Sequence, residues 1–419
     1  MTQYPRLNES LFAQRLENGL QVIVSQRPGY QKAFAFFAVN YGGMDTLFHL
    51  DGSLHQTPEG VAHFLEHKLF DMPEGNALQN LSAMGASPNA FTSSSITAYH
   101  FECTEHFYSN LRTLLSFVST PYFTPESVAK EQGIIAQEIQ MIADRPGWQV
   151  YSQLLNGLYW NNPVRNPVAG SVESIAQITP EVLYDCHRAF YRPDNMVLCV
   201  VGDVDAERVA ATARMTIAPA KGSTAERMTE EPEPADVRQA LSERKMPISS
   251  PTFLAGFKAK PSDGLRSRLV GDLTGDLLCG TSSSLYHRLY QEGMVDHSFG
   301  VSYEEQRGTA FLVLGGDSAE PEQVTQAVLV EAMRLRREGI REEDFRRTLR
   351  SSYGSRVQAL DSFQHSCYQL SKGYFDGFEY YQFPALYDAI TLEDVLEFLE
   401  QLVRPERMAL SVVRPNKEN

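Results

Sequence analysis

The chain has 419 residues, of which 42% are hydrophobic and 21% are charged. That composition is ordinary for a globular protein, and the length predicts two or three domains. The formal net charge of −15 argues against nucleic acid or an anionic membrane surface as the main partner. No apolar run is long enough to cross a bilayer, and no basic segment precedes an apolar core near the N-terminus, so we expect neither a membrane anchor nor a signal peptide.

The cysteines indicate a reducing environment. Their number is odd, no two are close in sequence, and no Cys-x-x-Cys occurs among Cys103, Cys186, Cys199, Cys279 and Cys367. This pattern predicts buried free thiols in a cytoplasmic protein and disfavours a zinc–thiolate site.

Strand patterns come first along the chain. Asn18-Gly19 is a turn signal before an alternating apolar run at Leu20, Val22 and Val24, which is typical of a hairpin. Residues 33–39 form a nearly continuous apolar run, which predicts a strand buried on both faces.

The stretch from residue 58 to residue 70 contains the pattern His63-x-x-Glu66-His67. Histidines at positions i and i+4 lie on one face of a helix, where two imidazoles can bind one tetrahedral zinc ion. The neighbouring Glu66 could accept a proton from a water activated by that metal without being a ligand itself. The alternative is a buried helix with two satisfied core histidines, but unpaired polar groups in such an apolar helix would be costly.

The segment after this helix predicts a hairpin. Residues 87–101 are rich in Ser, Thr and aromatic side chains, and they indicate two strands joined by a turn. A polar strand with small residues beside a catalytic helix could be an exposed edge that accepts an extended peptide. An ordinary solvated edge hairpin explains the composition equally well.

A longer helical pattern covers residues 127–143, with an apolar stripe at Ile134, Ile135, Ile139 and Ile142. Glu131 and Glu138 are seven residues apart and therefore share a face of this helix. Glu138 is a candidate third zinc ligand, and Glu131 is a candidate neighbour that orients a ligand. On spacing alone, a solvated glutamate face is the commoner explanation.

Two segments of the chain resemble each other at a constant offset. Residues 178–201 match residues 390–413 without gaps, over a helix start, an Arg-Pro turn and a strand, always 212 positions apart. We interpret this as two tandem copies of one α+β unit. The predicted domains are a zinc-binding catalytic half at 1–217, a solvated linker at 218–246, and a non-catalytic homologous half at 247–419.

The second copy lacks the metal motif. The same offset places Gly275, Leu278 and Cys279 opposite His63, Glu66 and His67, and no other His-x-x-Glu-His occurs in the chain. The predicted roles of the second half are scaffold, substrate wall or interface.

The chain resembles the pitrilysin/insulysin metallopeptidases, which carry an inverted zinc motif. The resemblance covers most of the chain and includes the tandem duplication. Its motifs are Leu16-Glu-Asn-Gly-Leu20, the His63–His67 helix, Asn89-Ala-Phe-Thr92 and the Glu131/Glu138 pair. The segment His63-Phe-Leu-Glu-His-Lys-Leu-Phe70 is most similar to the sequences of the bacterial half-length subgroup called YmfH-like.

This resemblance implies a role for each motif residue. It implies that one Zn2+ per chain is bound by His63, His67 and Glu138. Glu66 would be the general base, with Glu131 supporting catalysis. The substrate backbone would lie along Asn89, Ala90, Phe91 and Thr92. The implied fold is α+β, with two homologous halves that each pack helices on one face of a mostly antiparallel sheet, as in mitochondrial processing peptidase-type subunits.

The resemblance also implies a partner, because two such pairs of halves close around a peptide chamber and this chain supplies one pair. Family members carry an Arg and, seven residues later, a Tyr that hold the substrate. Here Tyr290 and His297 stand at those positions. We therefore expect a heterodimer with a related zinc-free subunit that carries the Arg/Tyr pair. A homodimer, with Arg288 or Tyr303 as a substitute, is the alternative.

The predicted function is a zinc-dependent endopeptidase that hydrolyses peptides or small unfolded polypeptides. One alternative is a processing protease that matures a ribosomally made peptide, which would share the chemistry and differ in substrate. The other is a non-catalytic assembly subunit, as in respiratory complexes that use this fold.

Overall fold

The structure, a computed structural model, describes residues 1–228, 232–262 and 264–416. The strands before residue 230 are β1 Thr2–Tyr4, β2 Glu9–Arg15, β3 Gln21–Gln26, β4 Ala33–Val39, β5 Leu47–Leu50, β6 Ser53–Gln56, β7 Asp71–Met72, β8 Gly75–Asn76, β9 Ser87–Thr92, β10 Thr97–Cys103, β11 Met196–Gly202 and β12 Glu226–Arg227. The helices in the same part are α1 Val61–Lys68, α2 Ala77–Ala83, α3 Phe107–Ser119, α4 Pro125–Ala143, α5 Pro146–Leu158, α6 Val172–Ile175, α7 Pro180–Phe190 and α8 Ala206–Thr216.

The later part of the chain repeats this alternation. Its strands are β13 Leu241–Met246, β14 Thr252–Ala259, β15 Gly300–Gln306, β16 Thr309–Asp317 and β17 Met408–Pro415. Its helices are α9 Leu265–Cys279, α10 Ser284–Gln291, α11 Pro321–Glu338, α12 Glu342–Ala359, α13 Phe363–Asp376, α14 Phe383–Ala389 and α15 Leu392–Leu402. Short 3-10 turns at Pro193–Asn195 and Pro405–Arg407 precede β11 and β17.

The first large sheet has seven strands in the order β1-β2-β3-β11-β4-β10-β9. All neighbours are antiparallel except β3 and β11. The predicted hairpin around Asn18-Gly19 is confirmed as β2 and β3, and the hairpin at 87–101 is confirmed as β9 and β10. Strand β9 is the last strand of the sheet, so the predicted edge position is also confirmed.

Strand β4 is buried along its whole length, as its continuous apolar run predicts. Ala35 and Phe37 belong to the core that the sheet forms with α1, α3, α7 and α8. The ring of Phe36 points to the other face and contacts Phe91, which in turn contacts Tyr368 of α13. Because α13 covers this second face, both faces of β4 are removed from water.

The second large sheet reproduces the inner part of the first. Its order is β13-β17-β14-β16-β15, with only β13 and β17 parallel. This matches β3-β11-β4-β10-β9 strand for strand. The 212-residue offset is confirmed in the structure, since α7 and α15, β11 and β17, and β10 and β16 each begin 212 residues apart. The α+β class with two homologous halves is therefore confirmed.

The predicted linker at 218–246 is shorter than expected. Residues 241–246 are strand β13, which pairs with β17. The strand was missed because it lies at a sheet edge and most of its side chains are exposed. Glu233 is also anchored, since its carboxylate accepts the backbone N–H groups of residues 160–162. Residues 229–231, in the same predicted linker, lie outside the described residues.

The compact units of the structure do not follow the predicted boundaries 1–217, 218–246 and 247–419. One unit consists of Met1–Ile139, Asn166–Thr229 and Val357–Tyr381, and the other of Gln140–Arg165, Glu230–Arg356 and Gln382–Asn419. Helix α5 thus packs on β14 and β17 of the second sheet, and α13 packs on β4 and β11 of the first. Each sheet is completed by a helix from the other half of the sequence.

The cysteines agree with the prediction made from their spacing. All five cysteines are buried free thiols. Within the described ranges, no helix combines the length and the apolar character needed to cross a membrane.

Candidate metal centre

Helix α1 presents the His-x-x-Glu-His motif. It begins after Gly60, which has φ 93° and lies so close to Ala169 that a Cβ atom would be 2.6 Å from that carbonyl oxygen. Glycine is therefore required for this approach. Phe64 and Leu65 are fully buried in the core. His63 and His67 lie together on another face, with ring centroids 4.6 Å apart, as the i, i+4 spacing predicts.

Helix α4 supplies two carboxylates to the same place. Glu138 lies opposite both histidines, with Oε1 3.7 Å from Nε2 of His63 and Oε2 3.5 Å from Nε2 of His67.

The predicted apolar stripe of α4 is only partly buried. Ile135 is inaccessible to solvent, Ile139 and Ile142 are half-buried, and Ile134 is 45% exposed.

These three side chains fit a zinc ion. Ligand atoms about 2.0–2.1 Å from a tetrahedral zinc lie roughly 3.3 Å from one another, close to the two distances to Glu138. In the described parts of the chain, His63, His67 and Glu138 form the one group of three possible ligands whose atoms all lie within 4.8 Å of each other. If these three residues held zinc, a fourth position would be left for water or substrate, as in catalytic zinc sites.

Glu131 holds His67 in the orientation that a ligand needs. Its Oε1 is 3.0 Å from Nδ1 of His67. When Nδ1–H donates to this carboxylate, the Nε2 lone pair is free to face Glu138. Nδ1 of His63 has no hydrogen-bond partner among the described atoms, so only His67 has its tautomer set by a carboxylate.

Glu66 is buried beside the cluster and is held by Thr92. The Thr92 hydroxyl donates to Oε2 of Glu66 at 2.9 Å, and Glu66 is only 8% exposed. No sequence pattern predicts this contact, because a hydroxyl on one strand and a carboxylate on a helix 26 residues earlier share no spacing rule. The side chain of Thr92 thus contacts Glu66, whereas the contact predicted for this residue was between its backbone and substrate.

The electrostatics of the centre favour a cation. Burial, and the nearby His67, lower the pKa of His63 to about 4, so its imidazole is neutral and able to bind a metal. Burial opposes charging of His67, but the hydrogen bond to Glu131 and three surrounding carboxylates raise its pKa overall. Burial raises the pKa of Glu66. A divalent cation would satisfy the same carboxylates and would lower the pKa of Glu66 again.

The four predicted substrate-binding residues lie on edge strand β9, which pairs with β10 on one side. Ala90 and Phe91 are half-buried and Asn89 is exposed. The Asn89 Oδ1 atom accepts the N–H of Ala90 at 2.9 Å. Within the described ranges no strand pairs with the other edge of β9, so an extended chain could add there.

Replacing Thr92 with valine should lower the turnover of a peptide about ten- to hundredfold, because Glu66 loses the hydrogen bond that orients it. The KM should change much less, since valine leaves the backbone of β9 in place. Measurements of kcat and KM on one fluorogenic peptide, with zinc content determined in parallel, would check this. Thr92→Ser keeps the hydroxyl and should retain most activity; an equal loss in both variants would contradict the role.

The second half offers no comparable centre among its described residues. The three positions related to the motif, Gly275, Leu278 and Cys279, are buried on α9. Tyr303, one of the two expected substitutes in a homodimer, is also buried, since its ring packs against Gly271 and Phe398. The buried Tyr303 side chain is therefore not placed to contact a peptide at the surface. Arg288, Tyr290 and His297 are exposed.

An α+β fold with two large sheets, and a His-x-x-Glu-His helix that faces a glutamate helix, is the arrangement that the resemblance in the sequence implies. Comparisons with known proteins agree with this assignment. The model described as "Insulinase (Peptidase family M16)" matches residues 49–172, and the model described as "Peptidase M16 inactive domain" matches residues 177–352. The chain belongs to this peptidase family, which confirms the resemblance found in the sequence.

Individual relatives support the same membership. The chain is 36% identical to "Uncharacterized zinc protease YmfH" of Bacillus subtilis (strain 168), over 99% of this chain and 98% of that protein. A crystal structure of an M16-like peptidase from Alicyclobacillus acidocaldarius superposes with a TM-score of 0.93 and 33% identity, over 97% and 99% of the two chains. The periplasmic protease PqqL of Escherichia coli shares the fold, with a TM-score of 0.73 and 18% identity, over 97% of this chain and 48% of PqqL.

Proposed function

We propose that this chain is a zinc-dependent endopeptidase that hydrolyses peptides or small unfolded polypeptides. The observation that carries the proposal is the convergence of His63, His67 and Glu138, with Glu66 buried beside them. The names of relatives as zinc proteases support the metal and the reaction class. A bound zinc would lower the pKa of a coordinated water toward neutrality and would polarise the scissile carbonyl.

Three residues around the metal ligands would have separate roles in hydrolysis. The Glu66 carboxylate accepts the proton of the attacking water and then delivers it to the leaving amine. The Thr92 hydroxyl keeps one oxygen of Glu66 in place, which leaves the other oxygen to take the proton. Glu131 fixes the ring of His67 through Nδ1, so that His67 faces Glu138 throughout the reaction.

Substrate would bind as an added strand along β9. Backbone hydrogen bonds to Asn89, Ala90, Phe91 and Thr92 would supply affinity with modest sequence preference. Because folded proteins rarely offer an unpaired extended segment, such binding favours peptides and unfolded chains. The maturation of a particular peptide would use the same chemistry on a more restricted substrate.

The proposal predicts that activity follows zinc content. Purified protein should contain about one zinc per chain, should lose hydrolysis of an unstructured peptide after chelation, and should regain it when zinc is returned. Metal analysis and mass spectrometry of the cleavage products would measure both. Protein without stoichiometric zinc, and without cleavage when zinc is supplied, would instead match a non-catalytic assembly subunit.

We further propose that the active assembly needs a second, related chain. The relative PqqL is matched along 97% of this chain but only 48% of its own length, so this chain corresponds to about half of such a protein. The exposed Tyr290 and His297 stand where an Arg/Tyr pair is expected, which favours a zinc-free partner that carries the pair. Co-expression with a homologous chain should give a heterodimer in size-exclusion chromatography and raise activity; full activity of the isolated chain would contradict the heterodimer.

We also propose a cytoplasmic location. Five buried free thiols suit a reducing compartment, where cysteines need no pairing.

A further inference from the structure

Helix α1 ends in a lysine that is almost completely buried. Lys68 is 1% exposed, less than any other charged side chain among the residues that the structure describes. It follows His67 directly and lies one turn after Phe64, which is inaccessible to solvent, so its side chain is on the core side of the helix. A buried ammonium group is costly to desolvate and needs polar partners.

The partners of this ammonium group lie on two other elements. Nζ of Lys68 donates to the carboxylate of Asp71 in β7. It also donates to the backbone carbonyl of Ser127, 3.4 Å away, in the first turn of α4. The Asp71 side chain is partly exposed and can be solvated without the lysine. The contact with Ser127 is different, because it joins the helix that bears the two histidines to the helix that bears the two glutamates.

The backbone of α4 connects the Ser127 carbonyl to the metal centre. In an α-helix a carbonyl accepts the N–H of the residue four positions later, which here is Glu131. The Glu131 carboxylate is 3.0 Å from Nδ1 of His67. Two consecutive residues of α1, His67 and Lys68, thus contact α4 at positions one turn apart. Glu138 follows about two turns after Glu131, so the direction of α4 from this anchored end decides where the Glu138 carboxylate reaches.

Stability alone does not explain a lysine at this position. Its neighbours on α1, Phe64, Leu65 and Leu69, are buried and apolar. An apolar side chain of similar length would fill the same space without a charge to desolvate, and such replacements of buried ion pairs are often neutral or stabilising. A positioning role explains the lysine, because an apolar side chain cannot hold the α4 carbonyl at a fixed distance from α1.

We propose that Lys68 is a positioning residue of the metal centre, which ties the first turn of α4 to α1 and so keeps Glu131 and Glu138 in place to meet the histidines. The inference rests on the proposed zinc site and adds a residue that acts through α4 rather than on the metal. Without this tie, α4 can shift relative to α1, and zinc binding must restore the position of both carboxylates. Affinity for zinc therefore falls, whereas the chemistry of the loaded site is largely retained.

The zinc affinity and the thermal stability of Lys68→Met together test this proposal. Competition with a chromophoric chelator should show zinc binding weakened about 10- to 100-fold, the range typical of residues that orient ligands. The zinc-free variant should melt at the parental temperature or above it, because methionine suits the apolar surroundings. At saturating zinc, the kcat for a fluorogenic peptide should return close to the parental value, since the metal then holds its ligands together.

Two further variants separate the tie from a general effect of charge. Lys130→Met removes the same charge from an exposed position of α4 and should bind zinc as tightly as the parent. Lys68→Arg keeps a cationic donor at the buried position and should bind zinc more tightly than Lys68→Met.

Three results would overturn the proposal. The first is equal zinc affinity of Lys68→Met and the parent, and the second is an equal loss in Lys68→Met and Lys68→Arg. The third is a zinc-free Lys68→Met protein that is unfolded or melts well below the parent, because the lysine would then serve stability. None of these results bears on the proposed peptidase, which fails only if the parent itself binds no zinc and cleaves no peptide.

Discussion

Glu66→Gln should abolish peptide hydrolysis while leaving zinc bound. The amide is isosteric with the carboxylate, so the packing around this buried side chain is preserved, and it can still accept the hydrogen bond from Thr92. It cannot accept a proton from water at neutral pH, and general acid–base catalysis of this kind is worth about 10²–10⁴ in rate. The expected result is that kcat falls by about 10²–10⁴ or more, while the zinc content stays unchanged.

The control variant is Glu74→Gln, in the exposed segment that follows α1. That variant changes the net charge in the same way and should keep parental activity. Single-turnover kinetics on a fluorogenic peptide, with zinc measured on the same samples, would separate chemistry from binding. If Glu66→Gln cleaved as fast as the parent, the assignment of Glu66 as the base would be wrong.

The local features of the fold were accessible from sequence because they depend on short-range periodicity. The i, i+4 spacing places His63 and His67 on one face of α1, and Asn18-Gly19 predicts a hairpin at the correct residues. The 212-residue offset holds for elements well outside the matched segments, including β10 and β16. Such patterns are set by backbone geometry, which the sequence reports directly.

The long-range features were not accessible in this way. An amphipathic pattern shows that α5 and α13 bury a face, but it does not show which sheet they cover. Their exchange between the two halves therefore could not be derived from the repeat. Strand β13 was taken for linker because an edge strand with solvated side chains carries little apolar signal.

The site shows the same division between local and long-range information. The spacing of Glu131 and Glu138 placed them on one face of α4, but on that basis a solvated face was the commoner explanation. The resemblance to a family made Glu138 a ligand candidate, and the structure brings it to 3.5 Å from His67. The exposure of Ile134 shows that α4 presents less of its apolar stripe to the core than periodicity alone implies.

Three glutamates on helix α4 allow the role of a ligand to be separated from that of a supporting residue. Glu138→Gln removes the charge that faces both histidines, and a neutral amide is a poor zinc ligand. This variant should lose stoichiometric zinc and, with it, hydrolysis. Competition with a chromophoric chelator measures the affinity directly, without reliance on activity.

Glu131→Gln should give an intermediate result. The amide can still contact Nδ1 of His67 but no longer stabilises the N–H donor with a full charge, so zinc affinity should fall about 10- to 100-fold rather than vanish. Glu126→Gln, at the exposed first turn of the same helix, should match the parent. The expected order of zinc affinity, from the tightest to the weakest, is therefore Glu126→Gln, Glu131→Gln and Glu138→Gln.

A Glu138→Gln protein that keeps zinc as tightly as the Glu126→Gln protein would require a different third ligand. Equal losses at positions 131 and 138 would mean that both carboxylates bind the metal.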